Sequence, residues 1–329
     1  MTPSAVRTAF LGAGMVAELH QQALSGLPEI ELAGAFDPDR ERLQQRCDTW
    51  GVRAYDSVEA VFADPDIDAI HILTPSDLHA DLGVQAMGSG KDILVEKPVA
   101  SVDGVRRLAA TAERTGRICM PGHNYAYQPE FARIRRLVRD AGSPLGDLRV
   151  AWITYCIQHP EEVAANYAGI LEEVMVHHGY LAVSLFGPPD WLMAGKDGSA
   201  WESHDVEDQA WMTWRYGQKL SVHLFGSFAV NDPTSSSSLF SVKVLGSTGG
   251  ASLNWADAVF HRAMGSLSFG LPAYEETYAN ENRAFAAAIR GDRSHIISPI
   301  EDALAVSQLS ELAQRSASSR HPLDVDVRS

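Results

Sequence analysis

The first residues in this sequence whose types and spacing could bind a ligand form a glycine-rich segment near the N-terminus. Gly12, Gly14 and Ala17 form a GxGxxA pattern between a short β-rich run and a helical pattern. Gly12 permits a tight turn, Gly14 lets a phosphate approach the backbone, and Ala17 keeps helix and strand close. The free N–H groups at the helix start, around Met15 and Val16, favour a bound pyrophosphate.

An acidic residue, Asp37, follows the glycine-rich segment at the spacing typical of dinucleotide-binding units. Asp37 lies 20 positions after Ala17, at the end of the apolar run from Ile30 to Phe36. At that spacing a carboxylate reaches the ribose hydroxyls of a dinucleotide, and it repels a 2′-phosphate. The sequence therefore predicts a bound NAD, while the nearby Arg40 leaves NADP open as an alternative.

Apolar strands continue to alternate with helical patterns beyond this unit. Strands are predicted at 69–74, 92–96 and 117–123, with helices at about 78–89 and 101–115 between them. This alternation indicates a doubly wound parallel sheet, whose ligands bind outside the carboxyl ends of the strands. Three segments follow strands there and are expected to matter: Thr74-Pro75, Glu96-Lys97-Pro98 and Gly122-His123-Asn124.

The pattern changes after about Tyr125, and one helix there is unusually polar on one side. The segment 169–186 is predicted to be a single helix, with Glu173, His177 and Tyr180 along one face. Such a stripe is costly to bury without partners, so it should face a pocket or solvent. Short alternating runs after residue 186 predict an antiparallel sheet.

Several of these segments together resemble the Gfo/Idh/MocA family, the group of glucose–fructose oxidoreductase and inositol dehydrogenase. The resemblance covers nearly the whole chain. It rests on GAGMVA, TPSDLH at 74–79, EKPVA at 96–100, GHN at 122–124, EEVMVHH, LGSTGG at 245–250 and ENRAFAAAIRGD at 281–292. Glu-Lys-Pro after a strand of the parallel sheet is the most specific of them.

The resemblance implies a Rossmann domain with a doubly wound parallel sheet, followed by an α+β domain with an open, mostly antiparallel sheet. We place the Rossmann domain at 1–123 and the substrate-binding and oligomerisation domain at 124–329. Whether the helix at about 300–316 packs back on the first domain stays open. Association into a homodimer or homotetramer through the second sheet is expected, because an uncovered sheet face exposes a large patch.

The resemblance also assigns roles to individual residues. Lys97 lies beside the nicotinamide as proton donor or acceptor, since an amine and its ammonium form can exchange the hydroxyl proton. Glu173 and His177 match an Asp-x-x-x-His pair directed at substrate. The expected cofactor-binding residues are Gly12, Gly14, Met15, Val16, Ala17, Asp37, Arg40, Thr74, Pro75, His79, Glu96 and Lys97. The expected substrate-binding residues are Lys97, His123, Asn124, Glu173, His177 and Tyr180, and the catalytic ones are Lys97, His177 and Glu173.

The second domain departs from the family pattern at three positions. Glu173 replaces an aspartate, Tyr180 stands where an aspartate is frequent, and Ala126 stands where an arginine is frequent. These changes indicate a pocket adapted to something other than a common inositol or glucose. His79, by contrast, fits a Thr-Pro-x-x-x-His segment and is expected to brace the cofactor loop.

Composition excludes several other classes of function. The chain carries 27 basic and 42 acidic residues, a net charge of −15, which argues against a nucleic-acid partner. No apolar run approaches the length of a membrane span, and the N-terminus has no signal-peptide pattern, so a cytoplasmic location is expected. The three cysteines lack metal-binding spacing, and no metal is expected.

The leading hypothesis is therefore an NAD(P)-dependent oxidoreductase acting on a secondary alcohol or ketone of a sugar, cyclitol or sugar-derived intermediate. Two alternatives stay open. One is a redox-neutral enzyme with tightly held NAD, such as an epimerase, eliminase or glycosidase. The other is a non-catalytic, cofactor-binding regulator.

Overall fold

The computed structural model describes residues 4–157, 161, 165, 168–198, 206–230, 238–255 and 274–327. The chain divides into two compact units. The first comprises residues 1–128 and 273–307, and the second comprises residues 129–272 and 308–329. The sequence-based boundary follows residue 123, whereas residues 273–307 are part of the first unit by their contacts.

The first unit is built on a six-stranded parallel sheet in the order β3-β2-β1-β4-β5-β6. Its strands are β1 Val6–Leu11, β2 Ile30–Phe36, β3 Arg53–Ala54, β4 Ala69–Ile72, β5 Asp92–Val95 and β6 Cys119–Pro121. The strand order reverses between β1 and β4, which is where ligands bind in doubly wound sheets. Both β4 and β5 are buried at every position, as expected for strands covered on both faces. The predicted Rossmann architecture is confirmed.

Helices connect these strands, and three of them begin at side-chain caps. They are α1 Met15–Leu24, α2 Arg40–Trp50, α3 Val58–Ala63, α4 His79–Gly88 and α5 Val102–Thr115. Asp39, Ser57 and Ser101 accept the backbone N–H of the third residue after them and so start α2, α3 and α5. No helix within the described ranges is both long and apolar enough to cross a membrane.

The second unit contains a seven-stranded mixed sheet in the order β12-β11-β7-β10-β9-β8-β13. Its strands are β7 Leu148–Ile157, β8 Trp191–Asp197, β9 Gln209–Tyr216, β10 Leu220–Ser227, β11 Ser238–Gly246, β12 Gly250–Trp255 and β13 Leu323–Asp324. Every pair is antiparallel except β7 with β10. The prediction of a mostly antiparallel sheet is confirmed.

Three helices of the second unit are described before residue 190: α6 Pro129–Arg139, α7 Ile170–Glu173 and α8 Met175–Phe186. The prediction of one unbroken helix over 169–186 is wrong, because the helix is interrupted at Val174. The carbonyl of Val174 accepts the N–H of His177 in a three-residue turn, and Nδ1 of His178 lies 3.3 Å from the same oxygen. The three-residue turn at this carbonyl marks the place where α7 ends and α8 begins.

The C-terminal helices are α9 Tyr274–Ile289 and α10 Ile300–Ser319. Helix α9 belongs to the first unit and packs against α1. The division between the units falls within α10, after Ser307. The helix predicted at about 300–316 is therefore present, and its first residues, such as Ile300 and Ala303, join the core of the first unit.

Candidate functional site

The glycine-rich turn has the geometry of a phosphate-binding loop. Gly12 adopts a φ of +101°, and a Cβ there would lie 2.6 Å from the carbonyl oxygen of Leu73. Gly14 is the N-cap of α1 in an extended conformation, with no side chain capping the helix and open space at its Cβ position. The first N–H groups of α1 are thus left to an external acceptor, as a pyrophosphate would be.

The residues after Gly14 divide between the surface and the core. Met15 is 71% exposed, and Val16 is half-buried at the helix start. Ala17 is buried, in agreement with the small residue that close packing of helix and strand requires. These positions fit the cofactor end of a Rossmann site.

Asp37 is buried at the end of β2, and its carboxylate is held by the backbone. Its two oxygens accept the N–H groups of Ala13 and Asp39, each at 2.8 Å. Nη1 of Arg42 lies 3.6 Å from the same carboxylate. Arg40 instead donates to the carbonyls of Tyr55 and Asp56 at 3.2 and 2.5 Å. The arginine beside Asp37 is therefore Arg42, which the sequence analysis did not identify.

A groove of about 530 Å³ runs between the glycine-rich turn and α2. Its lining includes Gly14, Asp39, Glu41 and Arg42. A groove of this size at the switch point of the sheet is suited to the nucleoside end of a dinucleotide.

His79 connects the two loops that follow β4 and β5. Its Nε2 lies 2.7 Å from the carbonyl oxygen of Thr74, and its Nδ1 lies 3.1 Å from those of Pro98 and Val99. The hydroxyl oxygen of Thr74 is buried and has no hydrogen-bond partner among the described residues. Since a buried hydroxyl is costly to leave unpaired, Thr74 fits a hydrogen bond to a bound cofactor. Pro75 caps the short turn that leads into α4.

Lys97 follows β5 and is half-buried, with its backbone anchored by the preceding residue. Oε2 of Glu96 accepts the N–H of Lys97 at 2.8 Å, and Oε1 of Glu96 lies 3.1 Å from Nε2 of His20. Glu96 is buried, so this anchor lies beneath the surface that Lys97 reaches. Gly12, Thr74 and Lys97 all follow the carboxyl ends of neighbouring strands, which is where the sequence placed them.

His123 and Asn124 follow β6 and are both buried in the first unit. Nδ1 of His123 lies 2.7 Å from the hydroxyl of Ser298, and Asn124 donates to the hydroxyl of Thr277 at 2.8 Å. Burial lowers the pKa of His123 to about 3, so the ring is neutral. Their role in binding substrate stays a prediction.

In the second unit, α8 brings His177 and Tyr180 together. Nδ1 of His177 lies 2.7 Å from the hydroxyl of Tyr180, and the ring of Tyr155 packs edge-on against His177. Tyr180 is fully buried, whereas His177 retains 6% exposure. The substrate contact predicted for Tyr180 stays a prediction. Glu173 lies on the other side of the helix interruption and is half-buried.

The neighbouring His178 has a structural environment. Its Nε2 lies 2.8 Å from the carbonyl oxygen of Phe225, and burial lowers its pKa to about 4. Helix α8 is thus held to β10 through His178.

Glu281 on α9 is a buried carboxyl group beside Glu96. Burial first, and the charge of Glu96 second, raise the pKa of Glu281 well above its ordinary value of 4.5. The group must therefore bind a proton on folding whenever the pH exceeds that value, and this costs stability that increases with pH until the pKa of the folded state is reached.

We expect Glu281→Gln to gain stability over the wild type as the pH rises, because glutamine needs no proton. The difference in the free energy of unfolding should be constant below about pH 4.5 and increase above it, as measured by urea unfolding at pH 4 and pH 8. Glu276→Gln, an exposed change on the same helix, serves as control and should show no such trend. A difference for Glu281→Gln that is equal at both pH values would contradict the buried, protonated state.

Sequence reasoning missed four residues around this site: His20, Arg42, Glu281 and Asn282. Arg42 could have been found from its position in the first turn after Asp37. Glu281 and Asn282 open the ENRAFAAAIRGD segment, but no local pattern indicated their contacts with residues more than 150 positions earlier in the chain.

Comparison with family profiles agrees with this geometry. Residues 6–123 match the oxidoreductase family with an NAD-binding Rossmann fold, and residues 131–252 match the Gfo/Idh/MocA C-terminal domain. Together these matches cover more than half of the chain.

Characterised relatives match over nearly their whole length. The inositol 2-dehydrogenase of Rhizobium meliloti (strain 1021) is 26% identical over 97% of this chain and 99% of that protein. The NAD⁺-dependent scyllo-inositol 2-dehydrogenase of Bacillus subtilis (strain 168) is 25% identical over 98% of this chain and 97% of that protein.

Among solved structures, GenD2 from gentamicin A biosynthesis, in complex with NAD, superposes with a TM-score of 0.85. It is 21% identical, with 99% of this chain and 98% of that chain covered, and it supports the fold. From its profile matches, its sheets and its glycine-rich turn, this chain belongs to the Gfo/Idh/MocA family of NAD-binding oxidoreductases.

Proposed function

We propose that this chain transfers a hydride between NAD and a secondary alcohol or ketone of a cyclitol, sugar or sugar-derived molecule. The proposal rests on the position of Lys97. Its backbone N–H donates to Glu96, and it lies at the same sheet edge as the glycine-rich turn and Thr74. The two inositol dehydrogenases that match over the full chain support a polyhydroxylated ring as the substrate class.

We assign the binding and proton-transfer roles to the following residues of this chain. The N-terminus of α1 would bind the pyrophosphate, Asp37 the ribose hydroxyls, and Thr74 a polar group of the cofactor. When bound, NAD supplies the hydride chemistry. Lys97 would exchange the hydroxyl proton, and His177, oriented by Tyr180, would contribute a hydrogen bond to the substrate.

The test is turnover of the purified full chain with NAD and a panel of cyclitols and sugars that includes myo-inositol, scyllo-inositol and glucose. We expect the absorbance of reduced nicotinamide to accumulate over many turnovers with at least one cyclitol. Substrate conversion without accumulation would instead indicate a redox-neutral cycle. No conversion of any polyol would contradict the proposal.

We propose further that Asp37 selects NAD over NADP. Asp37→Ser should weaken NAD binding about tenfold and improve NADP binding, because Arg42, 3.6 Å away, is then free to pair with a 2′-phosphate. Binding constants from fluorescence titration measure both effects. Glu41→Gln removes a charge from the same groove and should leave the preference unchanged, and adding Arg42→Ala to Asp37→Ser should abolish the gain for NADP. An unaltered preference in Asp37→Ser would contradict this role.

The outer face of the second sheet is proposed as the surface of self-association. Trp152, Trp211 and Phe225 are between 36% and 39% exposed on neighbouring strands β7, β9 and β10. Large aromatic side chains clustered on an open sheet favour a second copy as partner. We expect Phe225→Lys to reduce the mass of the particle measured by light scattering, while Lys219→Ala, in the turn beside the sheet, leaves it unchanged. An unchanged mass for Phe225→Lys would exclude this face.

A further inference from the structure

A line of buried polar side chains crosses the interior of the first unit and ends beneath Lys97. It runs through Thr8 on β1, His71 on β4, Asn282 on α9 and His20 on α1 to Glu96. All five of these side chains are buried, and the two histidines and Asn282 have no measurable exposure.

The orientation of the Asn282 amide sets the direction of these hydrogen bonds. Its Nδ2 donates to the carbonyl oxygen of Tyr278 at 2.9 Å, and a carbonyl can only accept. Oδ1 of Asn282 therefore faces Nε2 of His71 at 2.7 Å, and that nitrogen must carry the proton. Nδ2 of Asn282 also lies 3.2 Å from Nδ1 of His20, which must then be the unprotonated nitrogen.

The two ends of the line follow from these assignments. With its proton on Nε2, His20 donates to Oε1 of Glu96 at 3.1 Å. The N–H of Lys97 donates to the other oxygen, so both oxygens of Glu96 accept, as in a carboxylate. At the far end, Nδ1 of His71 is an acceptor that needs a donor. The hydroxyl of Thr8 lies 2.8 Å from this nitrogen and 3.1 Å from the carbonyl oxygen of Ala69, and we assign its one proton to the nearer Nδ1.

Aromatic side chains surround both histidines, and His71 has a neutral ring. The ring of His20 packs edge-on against Phe10 and Tyr278, and that of His71 packs against Phe10 and Phe285. Burial lowers the pKa of His71 to about 3. Burial and the charge of Glu96 raise the pKa of the neighbouring Glu281 well above its ordinary value, so Glu281 is neutral beside the two acceptor oxygens of Glu96.

We infer that Thr8, His71, Asn282 and His20 form a one-directional hydrogen-bond chain that holds Glu96 as a carboxylate and thereby positions Lys97. Each donor in the chain points toward Glu96, so the bonds polarise one another in the same sense. These are positioning residues, and Asn282 is the one that sets the direction. The inference rests on the proposed function only where it refers to catalysis by Lys97.

The direction of the hydrogen bonds is tested by nitrogen NMR of the full chain labelled with ¹⁵N-histidine. We expect both His20 and His71 to carry their proton on Nε2, with assignments from the loss of a signal in His20→Gln and His71→Gln. A proton on Nδ1 of either ring in the wild type would overturn the inference. This measurement does not depend on turnover, so it stands or fails separately from the proposed function.

The positioning role is tested with Asn282→Asp, which removes the donor and retains the shape. An acceptor then faces Nδ1 of His20, so this nitrogen should gain a proton, and kcat should fall about tenfold with the KM for NAD unchanged. Asn280→Asp makes the same change at a more exposed position of α9. It should alter neither the protonation of His20 nor kcat. Unchanged kcat in a folded Asn282→Asp variant would overturn the role.

A milder variant tests the same hydrogen-bond chain in case Asn282→Asp does not fold. Thr8→Val is nearly isosteric and removes only the first donor of the chain. We expect it to shift the Nδ1 resonance of His71 and to lower kcat about twofold with the KM for NAD unchanged. An unshifted His71 resonance would overturn the assigned direction.

Discussion

Replacing Lys97 with alanine is expected to lower kcat by about 10²- to 10⁴-fold, the usual contribution of a positioned proton-transfer group. The Kd for NAD should stay within about twofold of the wild-type value, because the groups that fit the cofactor are Gly14, Asp37 and Thr74. Stopped-flow kinetics with the best polyol of the panel and fluorescence titration with NAD separate the two effects. A loss confined to kcat would identify Lys97 as the group that acts on the reacting hydroxyl.

Two further variants define what Lys97 contributes. Lys97→Arg keeps the positive charge but holds its proton at any accessible pH, so it should not restore turnover. Lys219→Ala removes an exposed lysine of the second unit and should behave as the wild type. Turnover of Lys97→Ala close to that of the wild type would contradict the assignment of Lys97 to proton transfer.

Replacing His177 with alanine is expected to lower kcat about 10²-fold in the folded enzyme and also to lower the unfolding temperature, because a buried side chain that bonds Tyr180 is removed. Tyr180→Phe should have a smaller effect, about tenfold, because it removes only the hydroxyl that lies 2.7 Å from Nδ1 of His177. Steady-state kinetics and thermal unfolding together distinguish loss of chemistry from loss of structure.

The adjacent histidine provides the matched control. His178 contacts the carbonyl oxygens of Phe225 and Val174, so His178→Asn should lower the unfolding temperature and have little effect on kcat in the folded enzyme. Equal kinetic effects of the two histidine variants would contradict the proposed distinction between a His177 that bonds substrate and a structural His178.

Local sequence patterns predicted the first unit well because its determinants are local. Gly12 needs its positive φ for contact with the loop after β4, and Asp37 ends a strand whose apolar character is plain. The strands β4 and β5 are continuous apolar runs, so their order along the chain indicated a parallel sheet. Lys97 could be placed at the sheet edge from that order alone.

Periodicity was less informative where a helix changes its hydrogen-bond pattern. At Val174 the carbonyl accepts the N–H of His177 in a three-residue turn, and a 3.6-residue pattern does not predict that turn. The same turn separates Glu173 from the helix that carries His177. Whether Glu173 and His177 act on the same substrate stays a prediction.

Contacts between residues far apart in sequence could not be predicted from local patterns. Asn282 meets His20 across 262 positions, and no motif joins them. The choice between Arg40 and Arg42 depended on which way each side chain leaves α2, and the carbonyls of Tyr55 and Asp56 draw Arg40 away. The parallel pairing of β7 with β10 also required the three-dimensional structure.

Transfer of deuterium tests the central claim most directly. The full chain is incubated with NAD and a polyol of the panel deuterated at its ring carbons, and the mass of the reduced cofactor is measured. Direct hydride transfer predicts one deuterium in each reduced nicotinamide, formed by the wild type and, over the same time, almost absent with Lys97→Ala. Reduced cofactor that contains no deuterium, or equal labelling by Lys97→Ala, would contradict the account.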